Sequence, residues 1–404
     1  MSDVLNRNIV ILFFTQLIFV SGTVLTVTVG GIVGNDLSPD PALATLPLSF
    51  MVIGTALTTI PATMIMQRIG RRLGFTLAAV VACGAALLAA YALETRSFVL
   101  YCVATASVGM TLAFSQQFRF AAAESVPAPR ISYAISFILL GSIGGAFLGP
   151  ELAARSQDYT PGTPFLAAML VVAALYAVAF CLSLNLKINP LSAAVETQEA
   201  ARPLRQMVAA PLFIVAVLGG VVGQGVMTFI MTATPLSMHA VDGHNIAETA
   251  SVIRAHVIAM YLPSLISAPL ISRFGEFKLM TVGALALLVA IGIGLTGQEV
   301  MHYWGALLVL GIGWNFLFVG GTTLLVSNYR PSEKFRAQAV NEFSVFGVSA
   351  VASLLAGVVI VQWGWPTLLL SATPAIGLML VAIAWASYNR QRDVTATAAK
   401  ETGQ

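Results

Sequence analysis

Charged residues are scarce in this 404-residue chain. Asp, Glu, Lys and Arg together make up 9% of it, against roughly 25% in an average soluble protein. Hydrophobic residues account for 58%, and the mean hydropathy is +0.88. A soluble fold of this size would lack the polar side chains that its surface needs. The composition therefore excludes a soluble enzyme and predicts an integral membrane protein.

Residue types that build metal, disulfide and nucleic-acid sites are also few. The three cysteines, Cys83, Cys102 and Cys181, lie inside apolar runs, which argues against a disulfide framework or a zinc site. The net charge is only +3, and no basic cluster suited to nucleic acid is present. HExxH, a G-x-x-x-x-G-K-[ST] phosphate loop and a Ser/His/Asp cluster are absent. We expect no cofactor, no metal, no nucleic-acid partner and no enzymatic activity.

Long apolar runs follow one another along the chain. About 20 apolar residues cross a bilayer as a helix, and unbroken runs exclude the alternating pattern of a membrane barrel. The first run is too long for the apolar part of a signal peptide, so we interpret it as an uncleaved span. The sequence predicts an all-α protein with twelve transmembrane helices, near residues 9–33, 43–66, 74–93, 98–123, 131–152, 164–186, 211–236, 248–272, 278–297, 303–328, 336–362 and 366–388.

Lysine and arginine are distributed unevenly among the connections. With the N-terminus inside, the inside segments hold sixteen of the twenty. The outside loops hold Arg96 and Arg155, and the remaining two, Arg119 and Arg254, fall within spans. Basic residues of short loops stay on the cytoplasmic side. We therefore expect a monomeric, multi-pass protein of the cell inner (plasma) membrane, embedded in the lipid bilayer with both termini in the cytoplasm.

The two halves of the chain resemble each other. QRIGRRLGF at 67–75 follows the second span, and SRFGEFKLM at 272–280 follows the second span of the second half. A duplicated six-helix unit is typical of transporters with a substrate cavity near the bilayer midplane. The alternative is that the loops of any multi-span protein attract arginine. We predict an N-terminal six-helix bundle over 1–187, a cytoplasmic linker over 188–210, and a C-terminal six-helix bundle with a short cytoplasmic tail over 211–404.

The loop after the second span carries a family signature. The major facilitator superfamily has G-x-x-x-D-R-x-G-R-R there, and this chain has TMIMQRIGRR at 63–72. The matching positions are Arg68, Gly70, Arg71 and Arg72, while Thr63 and Gln67 replace the glycine and the aspartate. The chain resembles this superfamily over nearly its whole length. The resemblance implies two six-helix bundles that rock about a central cavity, with the first, fourth, seventh and tenth helices innermost.

The same loop predicts a gate on the cytoplasmic side. Cations on a tight turn can pair with carboxylates and with the negative C-termini of neighbouring helices. The missing aspartate at position 67 weakens the usual latch, and Glu124, Glu342 or both are candidates to replace it. The alternative is that the arginines only orient the chain in the membrane. The predicted gate residues are Arg68, Gly70, Arg71, Arg72 and Glu124.

A second segment is similar to one class within the superfamily. GAFLGPELAA at 145–154 resembles the G-x-x-x-G-P-x-x-G-G of its drug–proton antiporters, with Ala153 and Ala154 in place of the last two glycines. Those antiporters also carry an arginine in the fourth helix, and Thr105 stands at that position here. The first feature favours export and the second argues against it. Small residues four positions apart also allow close helix packing without any role in antiport.

Polar groups inside spans are candidates for the substrate and proton sites, because charges there are costly. Arg119 suits an anionic substrate group, but it can also reach the membrane surface or pair with Glu124. Glu342 can act as a gate partner, a proton carrier or a packing group, and His256 as a proton carrier or a packing group. The predicted proton-coupling residues are Glu342 and His256. The predicted substrate-cavity residues are Arg119, Gln116, Gln117, Gln16, Gln224, Arg254, Trp314 and Asn315.

These features together predict a secondary active transporter of a small organic compound. We expect it to work by alternating access and to be coupled to protons. Export or exchange, as by an antiporter, is the first interpretation, and segment 145–154 favours it. The alternative is proton-coupled uptake, as by a symporter, of an organic anion or a vitamin-like nutrient. Arg119, Arg254 and the missing arginine of the fourth span favour this alternative.

Overall fold

The computed structural model describes residues 6–39, 43, 46–159, 162–163, 165–187 and 201–401. Residues 188–200 of the predicted linker lie outside this description. All regular elements of the described residues are helical. The α-helices are α1 (Arg7–Leu37), α2 (Leu46–Glu94), α3 (Phe98–Ser115), α4 (Phe118–Ala123), α5 (Ile131–Tyr159), α6 (Leu166–Leu184), α7 (Leu204–Val208), α8 (Pro211–Pro235), α9 (Ile246–Tyr261), α10 (Ser264–Phe274), α11 (Glu276–Leu295), α12 (Val300–Asn328), α13 (Lys334–Ser371) and α14 (Thr373–Glu401). A π-helical turn, Leu236–Val241, extends α8.

Ten helical stretches of the described chain are long and apolar enough to cross a membrane. Two of them, Leu46–Glu94 and Pro331–Asn389, contain 49 and 59 residues, whereas one crossing needs only about 20. Each therefore provides two spans. Gly70 and Gly364, with φ of 82° and 74°, break these long helices between the predicted spans. The prediction of twelve transmembrane helices is confirmed.

The repeated loops of the two halves adopt the same backbone conformation. Gly70 has φ 82° and ψ 165°, and Gly275, at the matching place of the second half, has φ 83° and ψ 163°. Glycine reaches this region without the steric cost that a side chain brings. The residue that follows differs, because Arg71 succeeds the first glycine and Glu276 the second. The duplication thus preserves the turn but reverses the charge.

The described residues form two compact units. The first contains Met1–Ala200 with Pro331–Phe343, and the second contains Ala201–Arg330 with Ser344–Gln404. The segment Pro331–Phe343 precedes and begins α13, so a division of the chain into two sequence halves would assign it to the second unit. It groups with the first unit because its side chains bind residues at the kink of α2 and in α4.

Glycines hold α1 and α5 close together in the first unit. A Cβ atom on Gly145 would lie 2.7 Å from the Leu17 carbonyl oxygen, and one on Gly141 would lie 2.7 Å from the Phe13 carbonyl oxygen. Gly149 is equally tight, because an added Cβ atom there would lie 2.8 Å from the Ser21 carbonyl oxygen. Small residues at this spacing let helix backbones approach. The segment 145–154 therefore has a packing role.

Two predicted spans are broken helices. The fourth span, 98–123, consists of α3 and α4, which are separated at Gln116 and Gln117. The eighth span, 248–272, consists of α9 and α10, and Pro263 lies at the junction. Proline cannot donate the backbone hydrogen bond that a continuing helix needs. Polar side chains that are described below as a candidate site lie at both breaks or one turn away.

Candidate functional site

A buried ion pair in the first unit joins the kink of α2 to the end of α4. The Nη2 atom of Arg71 lies 2.8 Å from Oε1 of Glu124, and Nε donates to Oε2 at 3.4 Å. The third nitrogen, Nη1, donates to the side-chain oxygen of Gln117 at 2.9 Å. The Arg71 side chain is 2% exposed. The turn at Gly70 thus directs one arginine of the loop into the protein.

The other two arginines of the loop do not join this pair. Arg68 and Arg72 are both exposed. The structure therefore brings together only Arg71 and Glu124 from the predicted gate residues, with Gly70 providing the turn. Gln117, predicted as a substrate-cavity residue, is fully buried and serves as a hydrogen-bond partner of Arg71.

The start of α13 completes this cluster. Lys334 Nζ lies 3.2 Å from Oε2 of Glu124. The Gln338 side chain accepts a hydrogen bond from Arg71 and donates one to Glu124 at 3.4 Å. The ring of Phe335 lies beside the guanidinium, 4.9 Å from its carbon. Two cations and the Gln338 amide thus contact one carboxylate, while the Gln117 amide binds Arg71. We call Arg71, Gln117, Glu124, Lys334 and Gln338 the Arg71 cluster.

The surroundings of Glu124 keep it ionised. Burial alone would raise its pKa, but the charge and hydrogen bonds of Arg71 lower it. The charge of Lys334 and the hydrogen bond from Gln338 lower it further. The net result is a pKa below the ordinary value of 4.5. The negative charge that Glu124 carries near neutral pH can hold the start of α13 against α4.

A second buried ion pair joins α4 to α13, about one turn beyond Gln338. Arg119 of α4 donates from Nη2 to Oε1 of Glu342, and the two side chains are 3% and 0% exposed. Gln116 accepts from Nη1 of the arginine at 3.1 Å, and Asn341 donates to Oε1 of the glutamate at 2.8 Å. The partner of Arg119 is therefore Glu342. The predicted alternative partner, Glu124, is occupied by the Arg71 cluster.

The sequence reasoning missed the residues of α13 that complete both pairs. Lys334, Gln338 and Glu342 are spaced by four residues and so lie on one helix face. Of these three residues, only Glu342 carries a charge well inside a predicted span, and this is the signal that indicates it from the sequence. Lysine and glutamine at a helix start are ordinary in any sequence, and nothing in the pattern indicates what they contact.

The second unit contains an aromatic cluster attached to an amide. Trp314 of α12 stacks on Phe318 with ring centroids 4.7 Å apart, and Tyr261 of α9 meets its edge at 5.6 Å. The indole nitrogen donates to the side-chain oxygen of Gln224 at 2.7 Å. Gln224 in turn donates to the Thr228 hydroxyl at 3.3 Å. The predicted residues Gln224 and Trp314 are thus brought together, and Tyr261 joins them.

Asn315 and His256 tie helices of the second unit together. The Asn315 amide donates to the Met260 carbonyl oxygen and to the Ser264 hydroxyl, both at 2.7 Å, and its oxygen accepts from Ser267. His256 bonds through Nδ1 to the Leu307 carbonyl oxygen at 2.7 Å. Both side chains are fully buried. These bonds join α9 and α10 to α12, and the Nε2 atom of His256 is buried without a hydrogen-bond partner among the described residues.

The remaining predicted cavity residues are Gln16 and Arg254. Gln16 of α1 donates to the Ser142 hydroxyl of α5 at 2.9 Å. Arg254 is exposed, whereas His256 two positions later is buried. Residues two positions apart on a helix do not share a face, which explains this contrast.

Comparison with known proteins identifies relatives over nearly the whole chain. A sequence profile of the Major Facilitator Superfamily matches residues 11–343. The riboflavin transporter RfnT of Brucella anthropi is 36% identical over 378 residues, which are 93% of this chain and 95% of the relative. YddS of Bacillus subtilis, an uncharacterised transporter of the same superfamily, is 27% identical and is covered over 90% of its length, with 94% of this chain.

Solved structures share the fold at low sequence identity. FucP, a Major Facilitator Superfamily transporter solved in the outward conformation, has a TM-score of 0.75 and 14% identity, covering 94% of this chain and 99% of FucP. The human organic anion transporter MFSD10 also has a TM-score of 0.75 and 14% identity, covering 93% of this chain and 99% of its own. Identity at this level carries the architecture and not the substrate.

Proposed function

The chain belongs to the major facilitator superfamily, and from this membership we propose that it is a proton-coupled importer of a vitamin-like heteroaromatic compound of the riboflavin class. That it transports a small molecule across a membrane and is not an enzyme follows from the family. The single observation that carries the substrate is the 36% identity with a riboflavin transporter along nearly the full length of both chains.

The features of segment 145–154 and of Arg119 fit uptake better than export. The segment 145–154, which favoured export, packs α5 on α1 through Gly145 and Gly149. Its glycines are explained by that packing alone. Riboflavin carries no net charge near neutral pH, so its transport needs no arginine as an anion ligand. This fits the position of Arg119, whose guanidinium is already paired with Glu342.

Glu342 is the proposed proton carrier. Its Oε1 atom accepts from Arg119 and Asn341, whereas Oε2 is buried and makes no hydrogen bond within the described part of the chain. A proton on Oε2 would remove the charge that holds Arg119. Because the pair joins the start of α13 to α4, protonation would loosen that contact. Proton binding and movement of the segment Pro331–Phe343 would then be coupled.

The Arg71 cluster is the proposed cytoplasmic gate. It holds the segment Pro331–Phe343 through Glu124, Lys334 and Gln338. The Arg71 cluster and the Arg119–Glu342 pair must therefore both be released before the segment can move. Charge-assisted hydrogen bonds of this kind are strong but break and re-form at small net cost when water enters.

The distribution of basic residues supports the inner membrane and cytoplasmic termini. Reporter fusions after residues 200 and 395 should both report the cytoplasm, and an external signal from either would contradict this orientation.

The test is uptake of labelled riboflavin. A riboflavin-requiring bacterium without its own importer should grow on low riboflavin when it expresses this chain, and it should accumulate the label. Purified protein in liposomes should accumulate riboflavin faster when the outside is acidified, and Glu342→Gln should lose this acceleration. Flavin mononucleotide, which carries a phosphate, should compete poorly. Absence of riboflavin accumulation in both assays would reject the substrate, and acceleration that persists in Glu342→Gln would reject the proton carrier.

A further inference from the structure

The orientation of the Gln224 amide is set by its indole partner. The Trp314 Nε1–H group is a donor only, so the atom facing it at 2.7 Å must be the amide oxygen. The amide nitrogen therefore points away from the indole. It donates one hydrogen to the Thr228 hydroxyl at 3.3 Å. An amide nitrogen carries two hydrogens, and the second remains for another acceptor.

The aromatic rings hold the indole in place. Trp314 is 3% exposed and stacks on Phe318 with an angle of 19° between the ring planes. Tyr261 meets the indole at 84°, edge to face. Pairs of this geometry stabilise one relative orientation of the rings. The Nε1–H direction, and with it the orientation of Gln224, is thus determined by buried packing.

One side of the aromatic cluster is partly exposed. Gln224, Thr228 and Tyr261 are half-buried, whereas Trp314 and Phe318 are buried. All five lie on α8, α9 and α12 within the second unit. Rings combined with a few oriented polar groups are what small-molecule sites use for specificity.

We propose that Gln224 is a specificity-determining residue that donates a hydrogen bond to a ring carbonyl at the edge of a flat heteroaromatic substrate, and that Trp314 positions it. The inference rests on the proposed function and deepens it. This site recognises the acceptor edge of the ring system and not a polyol chain attached to it. Tyr261 supplies the aromatic surface on which the ring packs.

A packing role alone does not account for this arrangement. Phenylalanine at position 314 would stack on Phe318 equally well, and leucine at position 224 would avoid placing an amide inside a membrane span. Polar side chains within spans are costly and mark functional positions. The presence of both the indole and the amide is explained if the indole orients the amide nitrogen toward the substrate.

The experiment measures binding to the purified full-length protein. The ligands are riboflavin, lumichrome (the ring system with its carbonyls but without the chain), ribitol (the chain alone) and riboflavins with sulfur in place of the C2 or C4 oxygen. Sulfur accepts hydrogen bonds weakly. We expect lumichrome to compete with riboflavin and ribitol not to compete. One of the two thio analogues should bind the wild type about five- to tenfold more weakly, as for one lost hydrogen bond of about 1 kcal/mol.

Two variants test the residues. Gln224→Glu keeps an oxygen for the indole but removes the amide donor, and Trp314→Phe keeps the ring but removes the N–H group. Gln224→Glu should weaken riboflavin about tenfold and abolish the difference between riboflavin and the thio analogue. Trp314→Phe should reduce that difference in part. The control is Trp363→Phe, because Trp363 belongs to the same unit and is 58% exposed; its binding and thermal stability should match the wild type.

The outcomes separate this inference from the proposed function. If the wild type transports riboflavin but both variants keep the wild-type preference for oxygen over sulfur, the inference is wrong and the proposed function stands. If the wild type transports no flavin but binds another ring dione, such as xanthine, through Gln224, the proposed function is wrong and the inference stands. Competition by ribitol without competition by lumichrome overturns the inference directly, as does binding of neither flavins nor ring diones.

Discussion

Arg119 and Glu342 are 223 positions apart in the chain and form an ion pair with almost no solvent exposure. One lies in the short helix α4 and the other two turns into α13. Removing two charges from water is costly, and it is tolerated only when each charge has a close partner. The pair therefore commits the start of α13 to the first unit. Protonation of Glu342 would remove one of the two charges and weaken the pair.

Removal of one partner of this pair should destabilise the protein strongly. Breaking a buried ion pair costs about 3–5 kcal/mol, because the remaining charge stays buried. We expect Arg119→Ala and Glu342→Ala to lower the thermal stability of the purified protein, and the double variant Arg119→Glu with Glu342→Arg to recover much of it. Glu151→Ala is the control, since its pair with Arg155 is 56% and 73% exposed and is worth less than about 1 kcal/mol.

The exchange of Arg119 with the other nearby acid gives a second check on the pairing. Arg119→Glu with Glu124→Arg should not recover stability, because Glu124 serves Arg71 and Lys334. Recovery in that double variant would contradict the assignment of Glu342 as the partner.

Loss of Arg71 should release the start of α13. The probe is Ala337→Cys, which replaces a fully buried residue of that segment, in a background without Cys83, Cys102 and Cys181. Arg71→Gln removes the ion pair with Glu124, so we expect faster reaction of the introduced cysteine with a maleimide in inside-out vesicles. Arg72→Gln is the matched control, because its arginine is exposed. Equal labelling rates in the two variants would exclude a latch.

The stability of the protein should fall at low pH in part because Glu124 becomes protonated. The neighbours of Glu124 lower its folded pKa below the ordinary value, so the carboxylate contributes stability that is fully present above its unfolded pKa, near 4.3. This contribution is lost as the pH falls through the lower, folded pKa. We expect Glu124→Gln to be less stable than the wild type at pH 7 and to lose less stability between pH 5 and pH 3. Thermal unfolding across this pH series measures it.

The control for the acid dependence is Glu151→Gln, because that side chain is 56% exposed. It should follow the wild-type curve. A wild-type curve that is no steeper than that of Glu124→Gln below pH 5 would show that Glu124 is not held ionised by its neighbours.

The glycine contacts between α1 and α5 should be intolerant of a methyl group. Gly145→Ala would place a Cβ atom 2.7 Å from a backbone oxygen, and backbone cannot move aside as a flexible side chain can. We expect a loss of about 1–3 kcal/mol, seen as a lower unfolding temperature and less folded protein in the membrane. Gly84→Ala is the control, because nothing lies within 4 Å of the added atom; alanine there favours the helix by up to about 1 kcal/mol.

The structure brings Arg71 and Glu124 together. The sequence predicted that cations of the arginine-rich loop pair with carboxylates, with Glu124, Glu342 or both as the candidate partners. It gave no means of choosing Arg71 over Arg68 and Arg72. That choice depends on the direction in which the turn at Gly70 points each side chain. Tyr261 was missed for a similar reason, because a tyrosine before a helix break is unremarkable until Trp314 is seen to pack against it.

The number of spans and the twofold repeat were determined by the sequence alone. Both depend on local properties: enough consecutive apolar residues to satisfy the bilayer, and loops that repeat the same glycine turn. The partners of Arg119, Glu342 and Trp314 were decided only by the tertiary structure. A membrane helix that is apolar on all sides has no amphipathic stripe to show which face turns inward. Its rotation is set by close contacts such as those of Gly145 on α1, and these involve residues distant in the chain.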